Sequence, residues 1–333
     1  MEPLVTIVTI TFNLIKAGRE HTFRQCVESI HNQTYKNIEH IIIDGASSDG
    51  TIDLLEEYTQ KGWIKYYSEP DTGIYNAFNK GIDKANGEYI AFVNSDDYYH
   101  STRGVEESIK ALLNHNADYS YADDYLLDEP KPHKSKIRKA RIHRIFHRMP
   151  FCHQTMFCKK STLLEIGKFD ETFKSAGDYD LVVRLFLSKK YKGVFVPHVF
   201  CTFRMGGESN LNEETSQEEC VQIFQKHYSQ FYSLTRLDAI IMFCNIKTPI
   251  KLLSKLFEYF SFKQKILFLL FYITKLILHY RRQLIQLRIH LKPNRGGVCA
   301  EADNRLRLFN FYFIPPKPEH CRFKQFQKDG YLE

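Results

Sequence analysis

Two adjacent carboxylates, Asp96 and Asp97, lie just after an apolar stretch of the sequence, separated from it by Asn94 and Ser95. The stretch, residues 89–93, has the length and the β-branched and aromatic content of a strand that is buried on both faces. In open parallel sheets, ligands bind beyond the carboxyl ends of the strands. Two carboxylates at that place can hold a divalent cation that also contacts a phosphate. The alternative is that both aspartates cap the element that follows, because aspartate is a good N-cap residue.

Other apolar runs predict the elements that would position these carboxylates. Residues 5–11 form a β-branched run, and residues 37–43 form an apolar run that ends at Asp44. Each run is followed by apolar residues at helical spacing, and a third short strand and helix precede residues 89–93. The first hundred residues therefore predict a βαβαβαβ series. Such a series is typical of an α/β fold with a mostly parallel, Rossmann-like sheet and helices on both faces.

Four short motifs resemble, in their order and spacing, those of the family 2 glycosyltransferases with the GT-A fold. They are Thr11-Phe12-Asn13, the run of residues 44–51, the segment of residues 70–81, and Ser95-Asp96-Asp97. A further match lies at Gly177-Asp178-Tyr179-Asp180, where the family has a glutamate in place of Gly177. The resemblance implies an inverting enzyme that moves a sugar from a nucleotide-sugar to an acceptor hydroxyl.

The resemblance also implies which residues contact the nucleotide. Asp44 would accept the imide N–H of uracil, which favours a UDP-sugar as donor, and the backbone from Thr11 to Asn13 would hold the other side of the ring. Asp71 and Gly73 would line the nucleoside pocket, since a glycine lets backbone approach a ligand closely. The alternatives are ordinary turns at Asp44 and at the Asp71 segment.

The chemical roles follow from the same resemblance. Asp97 would bind Mn²⁺ or Mg²⁺ directly, and Asp96 would contact the nucleotide or the sugar. His153 would line the sugar or acceptor side, although a lone histidine is often a structural group. Asp178 would be the catalytic base, and Gly177 leaves less negative charge beside it than the family's glutamate would.

Further charged residues lie near these motifs. Asp180 and Arg184 are four residues apart on a predicted helix and should form an ion pair. Asp123 and Asp124 either face the acceptor or lie in a solvated loop, and the loop is the favoured interpretation. His198 could be a third metal ligand, but burial in a strand is favoured.

Charge and cysteine usage indicate the protein's surroundings. The chain has 333 residues, a net charge of +7 and eight cysteines without a C-x-x-C pair. Residues 131–148 contain eight lysines and arginines and no acid. This stretch predicts either a charged surface hairpin or a contact for an acceptor phosphate or a membrane. The scattered cysteines, with no signal-peptide pattern at the N-terminus, favour a reducing cytoplasm.

The sequence predicts a transferase domain at residues 1–215 and a C-terminal helical, basic region at residues 216–333. Residues 247–292 contain ten lysines and arginines and one acid. The longest apolar run there, residues 266–274, is too short to span a bilayer, which requires about 20 residues. Its basic flanks suit a helix in the headgroup region of an anionic leaflet, which predicts a peripheral protein on the inner face of the cell membrane. The alternative is a helical lobe packed on the catalytic domain. A Gly-rich loop at residues 202–210 is predicted to close over the pyrophosphate.

Three functions remain open from the sequence. The leading one is a metal-dependent, inverting glycosyltransferase that builds a cell-surface polysaccharide on a glycan or lipid-linked acceptor, with no nucleic-acid partner. A nucleotidyltransferase acting on a sugar phosphate would require a Gly-rich, basic loop near the N-terminus, which residues 11–18 lack. A catalytically inactive, membrane- or anion-binding relative is the third, and the presence of Asp44, Asp97 and Asp178 together argues against it.

Overall fold

A seven-stranded sheet forms the centre of the fold in the computed structural model. The strands in the described part of the chain are β1 (Val5–Thr11), β2 (Ile38–Asp44), β3 (Lys65–Ser68), β4 (Tyr89–Phe92), β5 (Tyr98–Tyr99), β6 (Tyr119–Ala122), β7 (Asp124–Leu127), β8 (Lys136–Arg138), β9 (Phe157–Lys159), β10 (Gly193–Val196) and β11 (Cys201–Arg204). The order across the large sheet is β10-β6-β9-β4-β1-β2-β3. Strand β9 runs antiparallel to β4 and β6, and the other neighbouring pairs are parallel. The predicted α/β fold with a mostly parallel sheet is confirmed.

Nine helices belong to the part of the chain that the structure describes. They are α1 (Glu20–His31), α2 (Thr51–Gln60), α3 (Ile74–Lys84), α4 (Gly104–His115), α5 (Lys160–Glu165), α6 (Gly177–Leu187), α7 (Glu213–Tyr228), α8 (Arg236–Phe243) and α9 (Ile250–Leu256). A second, four-stranded sheet has the order β5-β11-β7-β8. Strands β7 and β8 pair antiparallel, and of these two only β8 lies in the basic stretch, so the predicted hairpin takes one of its strands from the residues before that stretch.

The position of β1 between β2 and β4 determines where the site lies. Its residues Val5, Ile7 and Val8 have no exposed surface, as expected for a strand covered on both faces. In the register with β2, Thr11 lies opposite Asp44. Because the three strands are parallel, their carboxyl ends, and the polar segments that follow them, meet at one edge of the sheet.

The structure describes residues 2–206, 213–243 and 250–260, and positions 265, 266, 269, 270 and 273. The chain divides into two compact units, Met1–Phe243 and Cys244–Glu333, and the site lies in the first. Most of the predicted membrane-binding region and part of the predicted Gly-rich lid fall outside the described residues. The boundary predicted at residue 215 stays a prediction. None of the helices in these ranges is both long and apolar enough to cross a membrane.

A buried carboxylate, Asp180, joins α6 to α7. It accepts hydrogen bonds from Arg184 Nε at 2.7 Å and from Lys226 Nζ at 3.3 Å, and its Oδ1 lies 2.7 Å from His227 Nε2. The Arg184 guanidinium also donates to two carbonyls of the turn at residues 166–168. The predicted pair of Asp180 and Arg184 is therefore confirmed, and it holds two helices and a turn together.

We expect the Asp180→Asn variant to lose stability in a pH-dependent way. Although burial raises its pKa, the His227 hydrogen bond and the Arg184 charge lower the pKa of Asp180 below its usual value. The ionised group therefore stabilises the fold above the unfolded pKa of about 3.9, and this contribution is lost as the pH falls through the folded pKa. Breaking a buried pair costs on the order of 3 kcal/mol.

Thermal unfolding of wild type and variant between pH 7 and pH 3 measures this effect. The gap in Tm should be largest at pH 7 and should narrow below pH 4. Asp83→Asn, which removes an exposed ion pair with Lys168, is the control and should give a small gap. A gap for Asp180→Asn that is constant over this pH range would contradict the linkage.

Candidate active site

A cavity of about 780 Å³ opens where β1 and β4 end. Seven of the nine residues predicted for the site line it, namely Thr11, Asp71, Gly73, Asp96, Asp97, His153 and Asp178. The other two, Asn13 and Asp44, are not among its lining residues. The fold thus brings Asp97, the predicted metal ligand, and Asp178, the predicted base, which are far apart in sequence, to one cavity together with Asp96.

The carboxylate of Asp178 is held by three groups at the start of α6. His153 Nδ1 lies 2.9 Å from Oδ2, the Tyr75 hydroxyl donates to Oδ1 at 3.4 Å, and the Tyr179 backbone N–H donates to Oδ1 at 2.8 Å. The other ring nitrogen of His153, Nε2, is buried and has no hydrogen-bond partner among the described residues. The predicted residue His153 is therefore placed against the base.

The Tyr75 ring explains why a glycine, Gly177, precedes Asp178. A Cβ atom at Gly177 would lie 2.8 Å from the Tyr75 ring, closer than side chains pack, so a larger residue would displace that ring. Burial, together with the negative charge of Asp178, raises the pKa of Tyr75 well above its usual value. The hydroxyl of Tyr75 therefore stays protonated and can donate a hydrogen bond to the base.

Glu219 on α7 holds the loop before Asp178, and sequence reasoning missed this residue. Its buried carboxylate accepts the backbone N–H groups of Lys174 at 2.7 Å, Ser175 at 2.9 Å and Ala176 at 2.8 Å. Glu219 lies beyond the predicted end of the transferase domain, and no motif or spacing pointed to it. A helix that begins after the Gly-rich segment therefore positions the start of α6.

Asp96 and Asp97 have different surroundings. Asp97 is 1% exposed, its Oδ1 accepts the Arg204 backbone N–H at 2.6 Å, and its Oδ2 accepts the Gln154 side chain. Burial, together with the charge of Asp96, raises the pKa of Asp97 to about 8. The Asp96 side chain is 17% exposed and lies 3.8 Å from an Arg19 nitrogen. The Arg204 guanidinium donates to the Asp96 carbonyl.

This pair fits a divalent cation. Burial is the main cause of the raised pKa of Asp97, the charge of Asp96 adds to it, and a cation held by the two carboxylates would offset both. Among the described residues, no group of three or more His, Cys, Asp or Glu could hold a metal ion. A cation bound here would therefore take its other ligands from substrate phosphates and water, as Mg²⁺ commonly does.

Asp44 is fully buried and ties the ends of three strands together. Its two oxygens accept hydrogen bonds from the Thr11 hydroxyl at 3.0 Å, the Ser47 hydroxyl at 2.6 Å, the Ser47 N–H at 2.8 Å and the Ser68 hydroxyl at 2.8 Å. The Asn13 N–H donates to the Ser47 hydroxyl at 2.8 Å. These contacts give Asp44 a structural role. Its role in binding the nucleobase stays a prediction.

The remaining nucleoside-side residues lie at the mouth of the cavity. Phe12 is 63% exposed and lines the cavity, so its ring is available to a ligand. The Asp71 carboxylate accepts the N–H of Gly73 at 3.0 Å. Gly73 has φ +138°, a region that favours glycine, and it immediately precedes α3.

The prediction that Asp123 and Asp124 lie in a solvated loop is wrong. Both carboxylates are buried, because the basic stretch supplies their partners: Arg138 Nε lies 2.8 Å from Asp124, and Lys139 Nζ lies 2.7 Å from Asp123. His198 follows the end of β10, and its ring lies 2.8 Å from a serine hydroxyl. It is not among the residues that line the cavity.

Comparison with known proteins identifies the family. The model of glycosyl transferase family 2 matches residues 6–166. An uncharacterised glycosyltransferase of Mycobacterium tuberculosis (strain CDC 1551 / Oshkosh) is 30% identical over 221 residues, which cover 64% of this chain and 80% of that protein.

Two solved structures share the fold. S. aureus TarS 1-349, in complex with UDP-GlcNAc, has a TM-score of 0.56 and 17% identity over 73% of this chain and 71% of that one. The mannosyltransferase PcManGT from Pyrobaculum calidifontis, in complex with GDP-Man and Mn²⁺, has a TM-score of 0.56 and 16% identity over 85% and 83%. The α/β architecture matches these GT-A glycosyltransferases. The strand-end motifs, the family model and the mycobacterial relative agree, and the chain belongs to glycosyl transferase family 2.

Proposed function

We propose that the protein is an inverting, metal-dependent glycosyltransferase. It transfers a sugar from a nucleotide-sugar, with a UDP-sugar as the favoured donor, to a hydroxyl of a glycan or lipid-linked acceptor in cell-surface polysaccharide synthesis. The observation that carries the proposal is the Asp178 carboxylate, which is held by His153 and Tyr75 in the same cavity as Asp96 and Asp97. A base and a site for the leaving diphosphate are thus combined in one cavity.

Asp178 acts as the general base in this proposal. An acceptor hydroxyl is a poor nucleophile near neutral pH, so a carboxylate must take its proton as it attacks C1 of the sugar. The new O–C1 bond forms while the bond from C1 to the diphosphate oxygen breaks, and the nucleoside diphosphate leaves with the electron pair. Because the base and the leaving group lie on opposite faces of the sugar, this single displacement inverts the anomeric configuration.

The donor binds at the strand ends. Phe12 presents an exposed ring to the nucleobase, and Asp71 and Gly73 line the cavity nearby. Arg19 and Arg204 bring positive charge to the side of the diphosphate. Asp97, with Asp96 beside it, would hold Mn²⁺ or Mg²⁺, and the cation would offset the negative charge on the leaving group.

The place of action is also part of the proposal. The acceptor hydroxyl belongs to a growing surface glycan, which is assembled from nucleotide-sugars where these are made, in the cytoplasm. The basic residues at 247–292 would hold the protein at the anionic inner face of the cell membrane.

Replacing the base should abolish transfer and leave donor binding intact. For Asp178→Asn we expect transfer to fall on the order of 10²-fold or more, the scale for loss of a general base. Initial rates and calorimetric titration of the nucleotide-sugar measure the two effects, and NMR of the product gives its anomeric configuration.

The control for this test is Asp180→Asn, which should act through stability and keep most of its turnover below its own Tm. Near-normal turnover of Asp178→Asn, or a product that retains the configuration of the donor, would contradict the proposed mechanism.

Removal of divalent metal should stop transfer. We expect activity to vanish in excess EDTA and to return with Mn²⁺ or Mg²⁺, because without a cation the carboxylate pair would repel the negative charge of the leaving diphosphate. Asp96→Asn and Asp97→Asn should each raise the metal concentration needed for half-maximal activity. Transfer that persists undiminished in excess EDTA would exclude the metal-dependent mechanism.

His153 should act on the base and not on the donor. We expect His153→Ala to lower kcat at least about tenfold, because the base loses one of the groups that orient it. In His153→Asn, a side-chain N–H near the position of Nδ1 should restore part of that loss, and the donor Kd should change little in both variants. If instead the donor Kd rises while kcat stays normal, His153 belongs to the donor site, as the resemblance first suggested.

A further inference from the structure

Three arginines, Arg141, Arg144 and Arg148, lie along one short helical turn after β8. The turn includes the 3-10 helix Ile142–Arg144, in which the Arg144 N–H donates to the Arg141 carbonyl at 2.8 Å. The Arg148 N–H then donates to the Arg144 carbonyl at 3.1 Å. Residues three and four positions apart along a helical turn are neighbours on its surface. Arg141, the N-cap residue, has non-helical backbone (φ −141°, ψ 83°), and the two hydrogen bonds hold the backbone of the three arginines close together.

Among the described residues, these arginines take part in none of the ion pairs. The same basic stretch supplies Arg138 and Lys139, whose charges are balanced by Asp124 and Asp123. Burial and the charges of Arg141 and Arg148 lower the pKa of Arg144 below its usual value. The three positive charges are thus close enough to repel one another, and none of the ion pairs of the described residues offsets that repulsion.

The turn is anchored, so this charge is held in a defined place. Ile145 and Phe146 are fully buried. The Ile145 carbonyl accepts the hydroxyl of Tyr228 at 2.9 Å and also the hydroxyl of Tyr179. The turn is therefore fixed in place, because moving it would expose apolar surface and break buried hydrogen bonds.

Two contacts of the turn connect it to residues close to the proposed base, Asp178. Tyr179 directly follows Asp178 on α6, and the Arg141 N–H donates to the Pro150 carbonyl at 2.7 Å. Three residues beyond Pro150 is His153, the partner of Asp178. The arginines are therefore fixed to the segments that position the base, and the acceptor must bind beside that base.

We propose that Arg141, Arg144 and Arg148 bind a phosphate or diphosphate group carried by the acceptor. The inference rests on the proposed function, since it assigns the acceptor of that reaction. Guanidinium groups bind phosphate oxygens through paired, charge-assisted hydrogen bonds, and a diphosphate can engage more than one of them. An anion at this place would offset the repulsion within the cluster. The acceptor is accordingly a glycan linked to a phosphorylated carrier, in preference to a neutral oligosaccharide.

Lipid headgroups carry the same phosphate chemistry, and the geometry favours the acceptor as its source. Arg144 is half-buried on an anchored turn that leads to His153, whereas a headgroup contact requires exposed residues with no fixed relation to the base. Exposed lysines of the same stretch, Lys131, Lys134 and Lys136, provide a matched set with the same charge and without that anchor.

Binding of geranyl diphosphate, a carrier-like probe without a sugar, tests the proposal. Saturating UDP and Mg²⁺ are present throughout, so that the donor site is occupied. We expect the triple variant Arg141→Gln/Arg144→Gln/Arg148→Gln to raise the calorimetric Kd at least tenfold, whereas Lys131→Gln/Lys134→Gln/Lys136→Gln should change it less than twofold. Geraniol, which lacks phosphate, should not bind. If the triple variant has a lowered Tm, Arg141→Gln/Arg148→Gln, which keeps the half-buried Arg144, takes its place.

Three results would overturn the proposal. Equal weakening by the arginine and lysine sets would show a non-specific charge effect, and unchanged binding in the arginine variants would exclude the site. Loss of binding to phosphatidylglycerol vesicles, with geranyl diphosphate binding intact, would assign the arginines to the membrane and also refute an acceptor site. Transfer by the wild type is assayed separately: specific binding of the probe without sugar transfer would refute the proposed function and leave the anion site standing.

Discussion

The parallel pairing of β1 with β2 on one side and β4 on the other is the constraint on which the rest of the site depends. Along this register β1 and β2 end together, with Thr11 opposite Asp44, whereas β4 ends at Phe92, opposite Val8, and is followed by the segment with Asp96 and Asp97. Since the strands are covered on both faces, a shift of one residue would move each side chain into the opposite layer and disturb the packing of both layers. The edge where the cavity forms is thereby fixed by the core of the sheet.

Carboxylates at this edge divide into those that hold the structure and those that remain available for chemistry. Asp44 and Glu219 are buried, and N–H or O–H donors occupy their oxygens. This is the condition under which a buried charge can be accommodated. Asp96 and Asp178 keep part of their surface open to the cavity. The buried carboxylates hold loops and helices in place, so that the carboxylates open to the cavity have defined positions.

The basic stretch shows the same division with the opposite sign. Arg138 and Lys139 compensate two buried aspartates and so belong to the fold, while the arginines of the following turn have no such partner among the described residues. Charge that is anchored and uncompensated costs free energy in the unbound protein. Such an arrangement is typical of a surface that meets an anionic ligand.

The sequence by itself determined the elements and much of the site, because these depend on local pattern. Apolar runs that end in polar motifs predicted the α/β core, and spacing of four on a helix predicted the pair of Asp180 and Arg184. Tertiary structure decided what depends on distant contacts. The antiparallel β9 and the second sheet arise from pairings without a local signal. The tie of Glu219 to the loop before the base, and the burial of Asp123 by Lys139, likewise join residues with no relation in sequence pattern.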